Sequence, residues 1–293
     1  MLPEPEHLSV PVDGGTLAVS RWGHGEPIVL APHGITANRT SWALVADELG
    51  DDVTLLAPDL RGRGDSADLP GPFGMAAHAR DLIAVLDHVG GDRALVAGHS
   101  MGGFVAVRTA LDFAERLTGV VLVDGGLVIA IPEGVDIDAV LHAIIGPAMQ
   151  RLSMSWDTLT DYHDFWRPHP AFRDDWSELV EAYFDHDVHE VDGRWASRVN
   201  ADAIREDGLD TLVDETLRRD LSTITLPMRF LRAPRGVMDA DPLYPAEVVA
   251  GFVDAVPSLS ATDAVDVNHY TVLLSRDGAK QVAAEIRAAV GIG

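Results

Sequence analysis

The 293-residue chain has no cysteine. Disulfides, thiol nucleophiles and cysteine-ligated metals are therefore excluded. Positive charge is scarce, with 22 Lys and Arg against 46 Asp and Glu and a formal net charge of −24. Phosphate-rich partners need a basic face, so neither nucleic acid nor an anionic membrane surface is an expected partner. No apolar run reaches the roughly 18 residues that a bilayer-crossing helix requires. The first residues, Met1 to Glu6, are acidic and interrupted by proline, without the basic and apolar regions of a signal peptide. A cytoplasmic location with no membrane association is the expectation. Internal repeats and low-complexity segments are also missing. What is present is a 47% hydrophobic composition, enough for a sizeable core.

Apolar runs and turn residues alternate along the first half of the chain. Leu8–Val12 and Thr16–Trp22, joined by Asp13-Gly14-Gly15, read as a hairpin. Pro27–Ala31, Val53–Ala57, Ala94–Gly98 and Val120–Val123 read as short buried strands. Thr40–Leu49, Met75–Val89 and Met101–Phe113 carry helical spacing between them. This alternation predicts an α/β architecture, a doubly wound and mostly parallel eight-stranded sheet with ligands at the strand C-terminal ends. Between Leu127 and Arg219 the pattern changes to helical stretches, many acids and nine aromatics, with no buried-strand run. An inserted helical cap over 127–219 is predicted, between core segments 1–126 and 220–293. Pro227–Leu231 resumes the sheet, Leu259–Val267 supplies its last strand, and Thr271–Val290 closes the chain as one helix.

Gly98-His99-Ser100-Met101-Gly102 lies between the apolar runs Ala94–Ala97 and Phe104–Val107. This is G-x-S-x-G in a strand–turn–helix setting. Such a turn is tight, holds its serine in strained backbone, and needs small flanking residues. It places the serine hydroxyl over the N-terminus of the next helix, where partial positive charge favours an oxyanion.

With this turn, three further stretches resemble the α/β-hydrolase family of the lidded kind. They are His33-Gly34, Asp59-Leu60-Arg61-Gly62-Arg63-Gly64-Asp65-Ser66, and Asn268-His269-Tyr270. The resemblance covers both sheet halves and is weakest in the cap. It implies a Ser–acid–His triad in that chain order and an oxyanion hole of two backbone N–H groups. Ser100 is then the nucleophile and His269 its base. The family's aspartate nucleophile, used by dehalogenases and epoxide hydrolases, is absent. Two acids compete for the third place: Asp124, just after the strand that follows Ser100, is favoured, and Asp241 is the alternate. Asp241 sits in Asp-x-x-x-Pro at the commoner family position, but the connection leading to it is long, and Gly236 stands where the acid is expected. Ile35 and Met101 supply the oxyanion N–H groups. Asp59 and the Arg61–Ser66 run read as structural, with Arg61 or Arg63 paired to an acid.

The cap aromatics serve mostly its own core, with about two or three facing a ligand. Trp156, Phe165, Trp166 and Trp176 are the candidates, together with Gly34 beside the oxyanion loop. The segment Asp185–Glu190 has ligand-type side chains, but their spacing matches no closed zinc site, and they read as an exposed turn. No metal and no cofactor is expected. The resemblance implies a serine hydrolase that cleaves a carboxylic ester or lactone through an acyl-enzyme. The apolar, aromatic-rich cap suggests a bulky small-molecule substrate that is uncharged or weakly polar. Carbon–carbon hydrolysis of a diketone is an alternative on the same triad, although Tyr270 replaces the tryptophan usual in that class. A ligand-binding protein of this fold without turnover is another. No feature sets an oligomeric state.

Overall fold

The computed structural model describes residues 3–128, 140, 146 and 149–292. The strand runs predicted from the sequence form β1 (Glu6–Val12), β2 (Gly15–Trp22), β3 (Ile28–Leu30), β4 (Thr54–Pro58), β5 (Ala94–His99) and β6 (Leu117–Val123). After the inserted segment come β10 (Met228–Arg232) and β11 (Leu259–Asp263). These eight make one sheet in the order β1-β2-β4-β3-β5-β6-β10-β11. The pairs β1–β2 and β2–β4 are antiparallel. All other pairs are parallel. The predicted doubly wound, mostly parallel eight-stranded sheet is the fold of this chain.

Alternation along the central strands builds the two layers. Val29, Ala31, Leu55, Ala57, Leu95, Ala97, Val121 and Val123 face one cluster with helices Ala43–Leu49 and Arg276–Val290. Ile28, Leu30, Leu56, Val96, Val120 and Leu122 face the other, with helices Met75–His88, Met101–Asp112 and Ala246–Ala255. Successive strand side chains point to opposite faces, and helices cover both, so β4 and β5 are buried at every position.

Two expectations are corrected. The closing helix is two helices, Thr271–Leu274 and Arg276–Val290. Ser275 breaks it with extended backbone, and its hydroxyl accepts from the Gly278 N–H at 3.1 Å. The inserted segment is also not purely helical. Ser155–Trp156 (β7), Val188–Val191 (β8) and Arg194–Ser197 (β9) form a small antiparallel sheet in the order β7-β9-β8. These strands are short, and none has two buried residues in a row, so they carry no buried-run signal. Their one local signature is Asp192-Gly193, where both residues have positive φ (51° and 78°), as a two-residue hairpin turn requires.

The inserted segment rests on the loops at the strand C-terminal ends. The Asn200 N–H bonds the Gly62 carbonyl at 2.8 Å. Asn38 Nδ2 bonds the Tyr183 carbonyl at 3.4 Å, and Asn268 Nδ2 bonds the Ala171 carbonyl at 2.9 Å.

Candidate active site

Ser100 closes β5 in backbone that an L-residue rarely adopts, φ 52° and ψ −121°. The chain tolerates this because its neighbours are glycine. A Cβ on Gly98 would stand 2.0 Å from the Gly102 carbonyl oxygen, and one on Gly102 would stand 2.1 Å from that of Pro32. The Ser100 N–H is held by the Val123 carbonyl at 3.0 Å, which ties the turn to β6. Helix Met101–Asp112 starts at the next residue. Its first N–H groups have no partner within the helix and point back toward the serine.

His269 comes from the loop after β11, far from Ser100 in sequence. Its Nε2 lies 3.0 Å from Ser100 Oγ, and its Nδ1 lies 2.7 Å from Asp124 Oδ2. Since a carboxylate only accepts, Nδ1 carries the proton and Nε2 accepts from the serine hydroxyl. Asp124 is fully buried at the end of β6, with φ 46°. Its other oxygen accepts from the Ala233 N–H beyond β10 at 3.0 Å. The acid that reaches His269 is thus Asp124. Asp241 is exposed, and its backbone packs against Gly236. Asp239 braces the histidine loop instead, accepting from Asn268 Nδ2 at 3.0 Å and from Arg235 Nε at 2.6 Å. Asn268 Oδ1 in turn accepts from the N–H groups of Tyr270 and Thr271, both at 2.9 Å. That is an Asx-type cap, and it sets the turn that presents His269.

The loop bearing Ile35 is fixed from below. Fully buried His33 donates from Nδ1 to the Gly34 carbonyl at 2.8 Å and accepts at Nε2 from the Leu60 N–H at 3.0 Å. Burial pushes its pKa down to about 4, against the pull of Asp59. Arg63 Nε donates to the Ile35 carbonyl at 2.9 Å. The same guanidinium pairs with Asp207, on helix Ala201–Val213 of the inserted segment. Asp207 also accepts from His78 at 3.0 Å and from the Gly74 N–H. Burial opposes its charge, but His78 and Arg63 hold its carboxyl well below the usual range. Arg61 pairs with Asp81 at 2.5 Å. Both arginines of the Arg61–Ser66 run therefore have acids. Sequence alone did not reveal Asp207 or His78, because nothing local marks a partner that only tertiary contact brings near.

The cavity over Ser100 is lined by Gly34, Ile35, Thr36, Ala37, Ser41, His99, Tyr183, Val237, Leu243, His269, Tyr270, Leu273 and Leu274. Apart from its histidines, the lining among the described residues carries no ionisable side chain except two tyrosines, and burial raises the pKa of both. Gly34 is therefore where the sequence places it. Trp156, Phe165, Trp166 and Trp176 are not in this lining and need correction. Trp166 stacks on Phe184 with centroids 4.7 Å apart, Trp176 stacks on the same ring at 5.7 Å, and Trp156 packs on Tyr162 at 4.6 Å and Phe165 at 5.6 Å. They form the core of the inserted segment. The site's size is set instead by Tyr183, Val237, Leu243, Tyr270, Leu273 and Leu274. Leu273 and Leu274 lie one helical turn beyond His269 and Tyr270, a spacing the sequence does show.

Asp185–Glu190 is not simply an exposed turn. Asp187 is buried, paired with Arg151 at 2.9 Å and hydrogen-bonded by the Tyr162 hydroxyl. His186 reaches Asp59 Oδ2 at 3.2 Å. Among the described residues, Asp59, Asp65 and His186 bring ligand-type atoms within 4.8 Å of one another. Arg39 and Arg198 already bond these carboxylates. Burial works against the Asp59 charge, but the His186 hydrogen bond and Arg39 outweigh it and hold the carboxyl at about 2.

Comparison with known proteins places this geometry. An uncharacterised protein of Mycobacterium tuberculosis (strain ATCC 25618 / H37Rv) is 39% identical over 103 residues, which is 34% of this chain and only 29% of that protein. N-formylmaleamate deformylase of Pseudomonas putida is 33% identical over 183 residues, 58% of this chain and 65% of the deformylase. Among solved structures, E-2-(acetamidomethylene)succinate hydrolase superposes with a TM-score of 0.77 at 21% identity, over 98% of this chain and 100% of that one. That likeness speaks for the fold. A family model described as "Alpha/beta hydrolase family" matches residues 28–285, a span from β3 to the closing helix. It takes in the serine turn, the acid after β6 and the histidine loop, and the chain belongs to the alpha/beta hydrolase family.

Proposed function

We propose that this protein is a serine hydrolase that cleaves a carboxylic ester or lactone through an acyl-enzyme. The observation that carries this reading is the unbroken hydrogen-bond chain from Ser100 Oγ through His269 to Asp124. A serine hydroxyl is a weak nucleophile at neutral pH and needs a base in hydrogen-bond reach. His269 Nε2 takes the Ser100 proton as Oγ attacks the carbonyl. Asp124 keeps the imidazole in the required tautomer and stabilises the imidazolium that forms. The oxyanion rests on the N–H groups of Ile35 and Met101, each worth about 3 kcal/mol in related sites. His269 then protonates the leaving alkoxide. It next takes a proton from water, whose oxygen attacks the acyl carbon, and gives that proton to Ser100 Oγ as the bond to the acyl carbon breaks and the acid leaves.

The surroundings favour an uncharged acyl group. Val237, Leu243, Leu273 and Leu274 present hydrocarbon, and among the described residues no arginine or lysine lines the cavity to receive a carboxylate. The test is initial rates on short alkyl esters, aryl esters and ring lactones, with Ser100→Ala beside the unchanged protein and fluorophosphonate labelling in parallel. Turnover and labelling that both vanish in Ser100→Ala are expected. A folded protein that neither labels nor turns over any substrate would be a binding protein, and the proposal would fall.

A further inference from the structure

Asn268 precedes His269 and is 1% exposed. Its side chain is used in full. Nδ2 donates to the Ala171 carbonyl at 2.9 Å and to Asp239 Oδ1 at 3.0 Å. Oδ1 accepts from the N–H groups of Tyr270 and Thr271. A flipped amide would set its oxygen against two acceptors and its nitrogen against two donors, so the orientation is fixed by the surroundings. The backbone closes the same turn, because the Asn268 N–H donates to Thr271 Oγ1 at 2.8 Å and the Val272 N–H donates to the Asn268 carbonyl at 3.0 Å. His269 lies inside this turn, and its own carbonyl accepts from His99 Nε2 at 2.8 Å.

Ala171 belongs to the inserted segment, 97 positions before Asn268. Its turn is well fixed. The Ala171 N–H bonds His169 Nδ1 at 3.3 Å, and the His169 carbonyl accepts from the N–H groups of Phe172 and Arg173 at 2.9 and 3.0 Å. The same turn touches the histidine loop on the other side of His269, where the Tyr270 ring packs on Phe172 at 5.0 Å and on His169 at 6.0 Å between centroids. Both chain neighbours of the base are thus held by one turn of the inserted segment. His269 Nε2 must stay within 3.0 Å of Ser100 Oγ while Nδ1 stays within 2.7 Å of Asp124. A displacement of roughly 1 Å at a reacting group can cost about a hundredfold in rate.

We propose that the inserted segment takes part in catalysis by holding His269, with Asn268 as the positioning residue that carries the seating of the 169–172 turn to the imidazole. The segment then governs the chemical step as well as the shape of the cavity. The inference rests on the serine-hydrolase reading for its rate measurements only.

The experiment uses the full chain and three variants. Asn268→Ser keeps a hydroxyl for the Tyr270 and Thr271 N–H groups but has no arm for Ala171 or Asp239. Asn268→Asp keeps the accepting oxygen and sets a second oxygen against both acceptors. Asp239→Ala removes the loop contact and leaves the Ala171 contact in place. Three quantities are read: kcat and KM on the best ester or lactone, the melting curve, and the far-downfield proton NMR signal of His269 Nδ1–H. That signal is identified by its loss in Asp124→Ala. Asn268→Ser should lower kcat at least tenfold with KM within threefold, and should broaden or abolish the signal in a protein that is still folded. Asn268→Asp should lose more, and Asp239→Ala less than threefold. A folded Asn268→Ser or Asn268→Asp protein with kcat within twofold of the parent and the signal intact overturns the proposal. So does a loss confined to KM, which would make the segment a wall of the cavity and nothing more. An equal loss in Asp239→Ala would assign the effect to the loop after β10 and overturn the role of the inserted segment. If no substrate turns over, the hydrolase reading fails by itself, and the NMR signal still decides whether Asn268 holds His269.

Discussion

Asp124→Asn is the substitution whose outcome the geometry constrains most tightly. The carboxylate makes two hydrogen bonds, to His269 Nδ1 at 2.7 Å and from the Ala233 N–H at 3.0 Å. Asparagine keeps the shape but has one accepting oxygen and one donating nitrogen. If the amide nitrogen faced Ala233, two buried donors would oppose each other, at a cost of about 1–3 kcal/mol. The oxygen will therefore turn toward Ala233 and the NH2 group toward His269. That forces Nδ1 to accept and moves the imidazole proton to Nε2. Nε2 then has no lone pair for the Ser100 hydroxyl 3.0 Å away. The same tautomer reversal in a serine protease lowers kcat by about 10⁴. At about 1.4 kcal/mol per tenfold, this corresponds to a barrier roughly 5 kcal/mol higher. Folding should be little changed. The assay is kcat on the best ester or lactone, with thermal melts of the same samples and Asp241→Asn as the companion variant. A folded Asp124→Asn protein within tenfold of the unchanged enzyme would refute the reasoning. So would a larger loss in Asp241→Asn.

Two further expectations concern what holds the site in place. Asp207→Ala strands the buried Arg63 guanidinium and should cost about 3–5 kcal/mol. For a chain of this size, that lowers Tm by roughly 6–20 °C. Because Arg63 also holds the Ile35 carbonyl, kcat should fall with it, and a Tm within 2 °C of the parent would contradict the assigned role. His33 supplies a pH dependence. Its folded-state pKa is about 4 against 6.5 for the free side chain, so between these values the unfolded chain binds a proton that the folded one does not. Stability should be complete above about pH 6.5 and decline by about 3 kcal/mol as pH falls toward 4. Urea unfolding at a series of pH values reads this, and a His33→Gln protein with an unchanged slope over that window would count against it.

Local pattern made the frame of this protein legible. Unbroken apolar runs such as Ala94–Ala97, with turn residues and helical spacing between them, encode buried parallel strands, because such strands need hydrocarbon on both faces. The serine turn is legible for a related reason. Gly98 and Gly102 leave no room for a Cβ, a requirement written in the chain itself. The small sheet of the inserted segment was not legible, since β8 is mostly solvent-facing, β9 is only half-buried, and only Asp192-Gly193 announces them. The aromatic cluster misled for the opposite reason. Composition reports that Trp156, Phe165, Trp166 and Trp176 are apolar, but not whether they turn toward a ligand or toward one another.

By itself, then, the sequence determined the sheet, the position of Ser100 and the histidine loop, because each depends on neighbours within a few residues. The tertiary structure alone decided between Asp124 and Asp241. That choice depends on which carboxylate lies within hydrogen-bond reach of a side chain 145 positions away from Asp124. It also set the pairing of Arg63 with Asp207. Hydrogen bonds act over about 3 Å of space and are indifferent to separation along the chain.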